Sequence, residues 1–324
     1  NTHNQIGRII TSVLPDFSYQ EMQYSEFSPV RFALQAIASD KKKNEVFVAV
    51  TLSFIIVFQM LFVFLLVGKS EKGVNREVLL NKVMKKVEQG DLKEAINDIF
   101  EETCGARLTM NYNIPGGLMF DIHPNFVKRV KEFIVHFKTK LPEYDTLLTG
   151  NVIFQKRTKG VGILTKEDAI SFGASGPVGR GSGYSCDVRK HHPYSAYDKV
   201  TFNEALKTEG DTFARYQVRI QEMWESMAII EQLIDNIPEG DVQVATNAVI
   251  KLPKGEYYQK VETARGELGV YVISTGTKNP YRLKFRSPGF SNLSLLNHIA
   301  VGGKIGDLVA SMATLDLVIP DIDR

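Results

Sequence analysis

Twenty-two consecutive residues without a charge, Val46 to Val67 (VFVAVTLSFIIVFQMLFVFLLV), constrain this chain more than any other stretch. At about 1.5 Å per residue a helix of that length spans roughly 30 Å, the thickness of a hydrocarbon core. A buried strand or hairpin competes, because Val, Phe and Ile dominate the run, but so long a strand is unusual in a globular domain. The length rule therefore predicts a membrane helix. Residues 1–45 are of mixed polarity and place the run too far in for a cleaved signal peptide, so an uncleaved anchor is expected. Lys41, Lys42 and Lys43 precede it and Lys69 and Lys72 follow, which leaves its orientation open.

The remainder reads as globular. With 324 residues and an apolar fraction of 44%, there is ample material for a core. Lys and Arg number 39 against 37 Asp and Glu, so no general attraction to nucleic acid or anionic lipid is expected, and a polyanion partner is set aside. Cys104 and Cys186 belong to no Cys-x-x-Cys pair. That argues against a disulfide framework or a self-contained cysteine-ligated metal site, and for a reducing compartment.

Periodicity divides the rest. Between Asn75 and Phe100, residues Val78, Leu79, Val83, Val87, Leu92, Ala95 and Ile96 recur at helical spacing, with Gly90-Asp91 a break and restart, which predicts two connecting helices. A helix is expected from Pro124, with Phe126, Val130, Phe133, Ile134, Phe137 and Leu141 on one face and Pro142 as its stop. Another runs from Asp211 to Ile237 on a stripe of Phe213, Tyr216, Ile220, Met223, Met227, Ile230 and Ile234. Such stripes pack on one another, as in a bundle. After Pro253 the period changes. Gly269–Ser274 and Tyr281–Arg286 read as strands joined by a turn, the second alternating apolar with cationic residues as a half-exposed strand does. Short helices follow at Asn292–Val301 and Ile305–Thr314, parted by Gly302-Gly303. The expected class is α+β, mainly a helical bundle with a small antiparallel β element, plus the N-terminal transmembrane helix. The expected division is 1–45 unassigned, 46–67 membrane helix, 68–98 connecting helices and 99–324 the main domain.

Chemistry is harder to find. Gly173 to Gly183 (GASGPVGRGSG) lacks the Gly-Lys-Ser/Thr ending of a phosphate loop and the strand-then-helix flanks, so a tightly turned structural loop is expected. Cys186, His191 and His192 lie close in sequence, but adjacent histidines rarely point at one ion, and surface or interface histidines are expected instead. Asp187, Arg189 and Lys190 beside Pro193, Tyr194 and Tyr197 suit either a docking loop for a partner subunit or simple internal salt bridging. No catalytic residue is assigned, because spacing brings no Ser/His/Asp set or carboxylate pair together.

Whole blocks nevertheless match a family in order. They are Cys104-Gly105-Ala106-Arg107 followed by Pro115-Gly116-Gly117; Arg157-Thr158 then Gly160-Val161-Gly162; and Gly176-Pro177 with Ser182-Gly183, Asp187, Arg189-Lys190 and Pro193-Tyr194. Further on come Arg215-Tyr216 with Arg219, Glu222-Met223 and Ser226, then Gly266-Glu267-Leu268-Gly269 and the closing Asp321-Ile322-Asp323-Arg324. From about Ile99 to Arg324 the chain resembles the 49-kilodalton (D) subunit of NADH:quinone oxidoreductase, complex I.

The resemblance implies a subunit, inactive alone, that forms the quinone headgroup cavity together with the subunit holding the terminal iron–sulfur cluster. Quinone is then the substrate, the flavin and iron–sulfur clusters sit in partner subunits, and this chain binds no cofactor alone. The place implied is an energy-transducing inner membrane, mitochondrial or bacterial, with the main domain on the matrix or cytoplasmic side. The family is related to the nickel-binding subunit of hydrogenases, but the tail Leu315-Asp316-Leu317-Val318-Ile319-Pro320 carries no cysteine pair. Family members place this tail beside the quinone cavity, so Val318 and Ile319 are the implied cavity residues, with ordinary core contacts as the alternative. Arg107 and Thr109 are the implied cluster-proximal residues. Thr109 stands where many members have His, and Ile114 where an Arg is common. Residues 1–98 show no counterpart of the family's N-terminal part, with its His-bearing hairpin and quinone-contacting Tyr, and a separate chain is expected to supply it. The alternative is a membrane-anchored, catalytically silent interaction protein derived from this family.

Overall fold

The computed structural model of the chain describes residues 91–107, 110–247 and 249–323. The uncharged run Val46–Val67 and the first connecting helix lie outside them, as does Thr109. Among the described residues no helix is long and apolar enough to cross a membrane.

The described part is α+β. In chain order come α1 (Asp91–Cys104), a two-stranded hairpin β1 (Asn113–Ile114) and β2 (Gly117–Leu118), and α2 (Phe126–Tyr144). The short helices α3 (Val152–Thr158), α4 (Lys166–Ser171), α5 (Gly176–Arg180) and α6 (Val188–His191) lead to the long α7 (Thr212–Ile234). An antiparallel sheet of β3 (Gly255–Thr263), β4 (Gly266–Ser274) and β5 (Arg282–Arg286) follows in that spatial order. It is succeeded by α8 (Pro288–Ala300), α9 (Ile305–Leu315) and α10 (Ile319–Ile322).

The helix restart expected at Asp91 is where α1 begins. In α2 all six stripe residues named from the sequence are buried, and they meet Ile96, Ile99 and Phe100 of α1 and Met223, Met227 and Ile230 of α7 in the larger of two cores. Pro142 does not stop α2, contrary to the sequence expectation. Its missing N–H costs one bond of the ladder, but Leu141 is already anchored in the core, so the chain stays helical and widens into a π-turn over Asp145–Thr149. Thr146 Oγ1 donates to the Pro142 carbonyl at 3.0 Å within it.

Asp211 caps α7, its carboxylate accepting from the Ala214 amide at 2.7 Å and the Gly160 amide at 2.8 Å. The apolar stripe of α7 faces the larger core, but Arg215, Arg219, Glu222 and Ser226 are buried as well. The helix is therefore enclosed on nearly every side, packing on α2, α3, α5 and α9. A smaller core gathers Leu164, Ala169, Ala174 and Val178 with Leu295, Ile299 and Leu315.

The sheet departs from expectation twice. β3 is not legible in the sequence, because EYYQKVET scatters charges along the strand. β5 is not half-exposed: every residue from Tyr281 to Phe285 is exposed, because it is the edge strand and the sheet projects beyond the helices there.

Replacing Phe137, fully buried and 5.5 Å from the Phe133 ring centroid, by Ala is expected to cost about 3–5 kcal/mol in denaturant unfolding. Val135→Ala, on the exposed side of the same helix, is expected to stay within about 0.5 kcal/mol.

Candidate functional site

The glycine-rich stretch places a charge rather than a phosphate. Gly176 has φ +64°, and a Cβ there would sit 2.5 Å from the Arg265 carbonyl oxygen. A Cβ on Gly181 would meet Arg215 Cγ at 2.8 Å. The glycines thus bring α5 against the β3–β4 turn on one side and α7 on the other, which is the structural role expected of them.

That approach buries Arg180 between two carboxylates. Its Nη1 donates to Glu262 Oε1 of β3 at 2.9 Å and its Nη2 donates to Glu222 Oε1 of α7. Asp187 Oδ2 lies 3.9 Å from the same guanidinium and accepts from Arg189 Nη2 at 2.6 Å, while Arg189 Nε donates to Asp187 Oδ1 at 2.9 Å. All five side chains are buried. Burial, with the neighbouring Asp187 carboxylate adding to it, outweighs Arg180 and Arg189 and pushes the Glu262 carboxyl up to about 7. Asp187 goes the other way. Burial raises it, but Arg189 and Arg180 outweigh that and hold it at about 2.

The loop between Ser185 and Phe202 closes over this cluster with its inner side. Tyr197 is buried and Tyr194 nearly so, the Tyr194 hydroxyl exchanging hydrogen bonds with the Glu262 backbone at 3.1 and 3.2 Å. Lys190 Nζ donates to the Phe202 carbonyl at 2.7 Å. Asp187 and Arg189 thus take the internal salt-bridging role, while Lys190 and Pro193 stay exposed on the outer side of the loop. Cys186 and His191 do not converge on a common ion: the thiol, pushed up to about 12 by burial, lies over the Gly176 carbonyl, and His191 Nε2 meets Ser185 Oγ at 2.7 Å. Among the described residues no three His, Cys, Asp or Glu side chains are gathered to hold a metal.

Two turns back along α7 from Glu222, Arg215 is buried without a carboxylate in contact. Its donors reach the Gly162 and Gly210 carbonyls, each at 2.9 Å, and the Thr314 and Thr212 hydroxyls, each at 3.1 Å. Burial and the neighbouring Arg219 lower it to about 9, which still leaves it charged at neutral pH. Arg219 Nη2 donates to the Thr314 carbonyl at 2.6 Å. The two arginines therefore grip the C-terminal end of α9.

This grip turns α9 inside out. Ser311, Thr314 and Leu315 face inward, and Ile305, Leu308, Val309 and Met312, at i, i+3, i+4 and i+7, face outward and are exposed. The chain then reverses at Asp316, whose φ of +55° is left-handed and whose carboxylate lies 3.4 Å from Arg265 Nε. Leu317 packs on the smaller core. Val318 caps α10 and is half-buried, and Ile319 is 71% exposed. Asp321 Oδ2 ties α10 to α8 by accepting from Ser287 Oγ at 2.7 Å and the Gly289 amide at 3.1 Å.

The carried-over residues thus fall in separate places. Val318 and Ile319 lie on the tail beside α8, with Ile319 outside any core. Arg107 follows α1 and is drawn onto its acidic face by Glu94, Glu101 and, at 3.0 Å, Asp98. Arg180, Arg215, Arg219, Glu222 and Glu262 are not singled out as site residues by the sequence. A signal exists: Arg215, Arg219, Glu222 and Ser226 repeat at helical spacing, as a second face of α7 would.

A family model described as "Respiratory-chain NADH dehydrogenase, 49 Kd subunit" matches residues 89–251 and 245–324. The chain belongs to this family. Among curated relatives, the NADH-quinone oxidoreductase C/D subunit of Bacteroides thetaiotaomicron is 57% identical over 232 residues, covering 72% of this chain and 44% of that protein. The NADH-quinone oxidoreductase D subunit of Desulforamulus reducens is 44% identical over 231 residues, 71% of this chain and 63% of that protein. Its counterpart in Desulfotalea psychrophila is 46% identical over 235 residues, 72% and 63%. The chain thus spans about half to two thirds of the length of the curated relatives it matches. The buried arginines and carboxylates all lie within the part that matches the 49-kilodalton subunit family.

Arg180→Ala is expected to cost about 3–5 kcal/mol, since it strands Glu222 and Glu262 without a cation. The pH dependence has a definite sign. Glu262 sits above its ordinary 4.5, so its contribution to stability is full below pH 4.5 and is lost as pH rises to about 7. Asp187 sits below its ordinary 3.8, so its contribution is present above pH 3.8 and lost as pH falls to about 2. Unfolding midpoints of Glu262→Gln should therefore lose the decline that the native chain shows between pH 4.5 and 7, and an unchanged slope would place the titration elsewhere.

Proposed function

We propose that this chain forms one wall of the quinone cavity in a membrane-associated NADH:quinone oxidoreductase, beside the terminal iron–sulfur cluster of a partner subunit. The observation that carries this reading is the C-terminal region itself. The apolar outer side of α9 and, further along the tail, Ile319 face outward, and buried arginines hold α9 from behind. An apolar wall with its polar support turned inward suits an isoprenoid-bearing substrate, which needs walls without unpaired polar groups. In this reading Val318 and Ile319 flank the headgroup end of the cavity. Arg107, held by its carboxylate partners at the end of α1, lies on the side of the partner's cluster in this reading.

The chemistry of electron delivery belongs to the partners. Flavin and clusters in other subunits carry electrons from NADH, quinone is the substrate, and this chain shapes and seals the place where they meet. The uncharged run Val46–Val67 tethers the chain to the energy-transducing membrane, with the described part on the matrix or cytoplasmic side.

The test uses the assembled complex. Ile319→Asp and Met312→Lys are each expected to lower NADH:quinone activity at least about tenfold, equivalent to about 1.4 kcal/mol of barrier, while electron transfer from NADH to an artificial acceptor of the upstream clusters is kept. Quinone reduction unchanged in both variants would overturn the assignment and favour a catalytically silent interaction protein.

A further inference from the structure

The three-stranded sheet presents a second surface, unrelated to the C-terminal tail. Its register puts Tyr257–Val272–Leu283, Gln259–Val270–Phe285 and Val261–Leu268 in cross-strand rows on one face. The rows Tyr258–Tyr271–Lys284 and Glu256–Ile273–Arg282 share the other. On the first face Val261, Leu268, Val270 and Val272 are only partly buried, and Leu283 and Phe285 are 49% and 42% exposed. An apolar sheet face packed on a core would be buried. Here Tyr257 on β3 is buried, but toward the edge the face opens, and Leu283 and Phe285 are left uncovered by the described residues.

The edge is open as well. β5 pairs with β4 along one side, and among the described residues no backbone hydrogen bond reaches Arg282–Arg286 from the other. At about 3.4 Å per residue this leaves roughly 17 Å of unpaired main chain. The second face of that edge carries Arg282 and Lys284, both exposed, and no described carboxylate lies within ion-pairing distance of either.

These charges select the occupant. Two copies of β5 paired edge to edge would bring Arg282, Lys284 and Arg286 against their own kind, and like charges opposite one another on neighbouring strands repel. A second copy of this chain is therefore disfavoured. We propose that the β5 edge accepts an extended segment of a partner subunit as a fourth strand. That segment places apolar side chains beside Leu283 and Phe285 and carboxylates beside Arg282 and Lys284. Main-chain hydrogen bonds supply the affinity, and the apolar–acidic alternation of the guest supplies the specificity.

The experiment is carried out in the assembled complex, with a photoreactive phenylalanine derivative in place of Leu283 and hydrogen exchange followed across residues 255–286. One partner segment with alternating acidic and apolar residues should be captured, and the β5 amides should exchange at least about a hundredfold slower than an unpaired edge. The pair Arg282→Glu and Lys284→Glu should lower the cross-link yield at least tenfold while β3–β4 amides stay protected, which separates lost docking from lost folding. The pair Arg282→Lys and Lys284→Arg should retain capture. Cross-linking only to lipid or to a second copy of the chain, or capture without slowed exchange at β5, would overturn the proposal. Because β5 lies apart from the tail, quinone-site variants leave this result unaffected, and either reading fails without the other.

Discussion

Arg180 joins three pieces of chain at one point: the glycine-rich turn that carries it, Glu222 on the long helix and Glu262 on the first strand of the sheet. A guanidinium in a space without water is costly by itself, and each carboxylate beside it would be costly without it. Their mutual satisfaction fixes where α5, α7 and the β3–β4 hairpin stand relative to one another. The glycines at 176 and 181 follow from this, because any Cβ at either position would hold the partners apart. The Ser185–Phe202 loop follows too, since it supplies Asp187 and Arg189 and then closes the site with Tyr194.

The second polar layer, Arg215 and Arg219, has a consequence at the surface. By gripping Thr314 it orients α9 so that the small polar residues go in and the large apolar ones go out. An isolated globular protein would favour the reverse. The same inversion of the usual pattern occurs at β5, where five successive residues are exposed on both faces of the strand. Two separate apolar surfaces left uncovered by the described residues suit a member of a family whose relatives are named as subunits.

Much of the helical framework is legible in the sequence. The stripe from Phe126 to Leu141 and the Asp211 start of α7 are periodic and capped, and local signals of that kind survive folding. Pro142 misleads because the rule that proline ends helices assumes nothing else holds the next turn, and here Leu141 is anchored in the core. β3 escapes notice because Glu256, Lys260 and Glu262 interrupt its apolar residues, and Glu262 reads as a solvent residue until its partner on α5 is known. For the site, the family blocks point to the right segments. They do not reveal that the charged members of those blocks face one another, nor that Ile319 stands clear of the core.

By itself the sequence determined the helix faces, the two strands β4 and β5, the turn-forming glycines and membership of the family, all of which depend on neighbours within a few residues or on blocks read in order. The tertiary structure alone decided which charges are buried, that burial raises the Glu262 carboxyl, and which apolar residues remain outside. Those outcomes depend on desolvation and on partners as far apart in the chain as Arg180 and Glu262. A charged residue looks the same in sequence whether water or another charge will satisfy it.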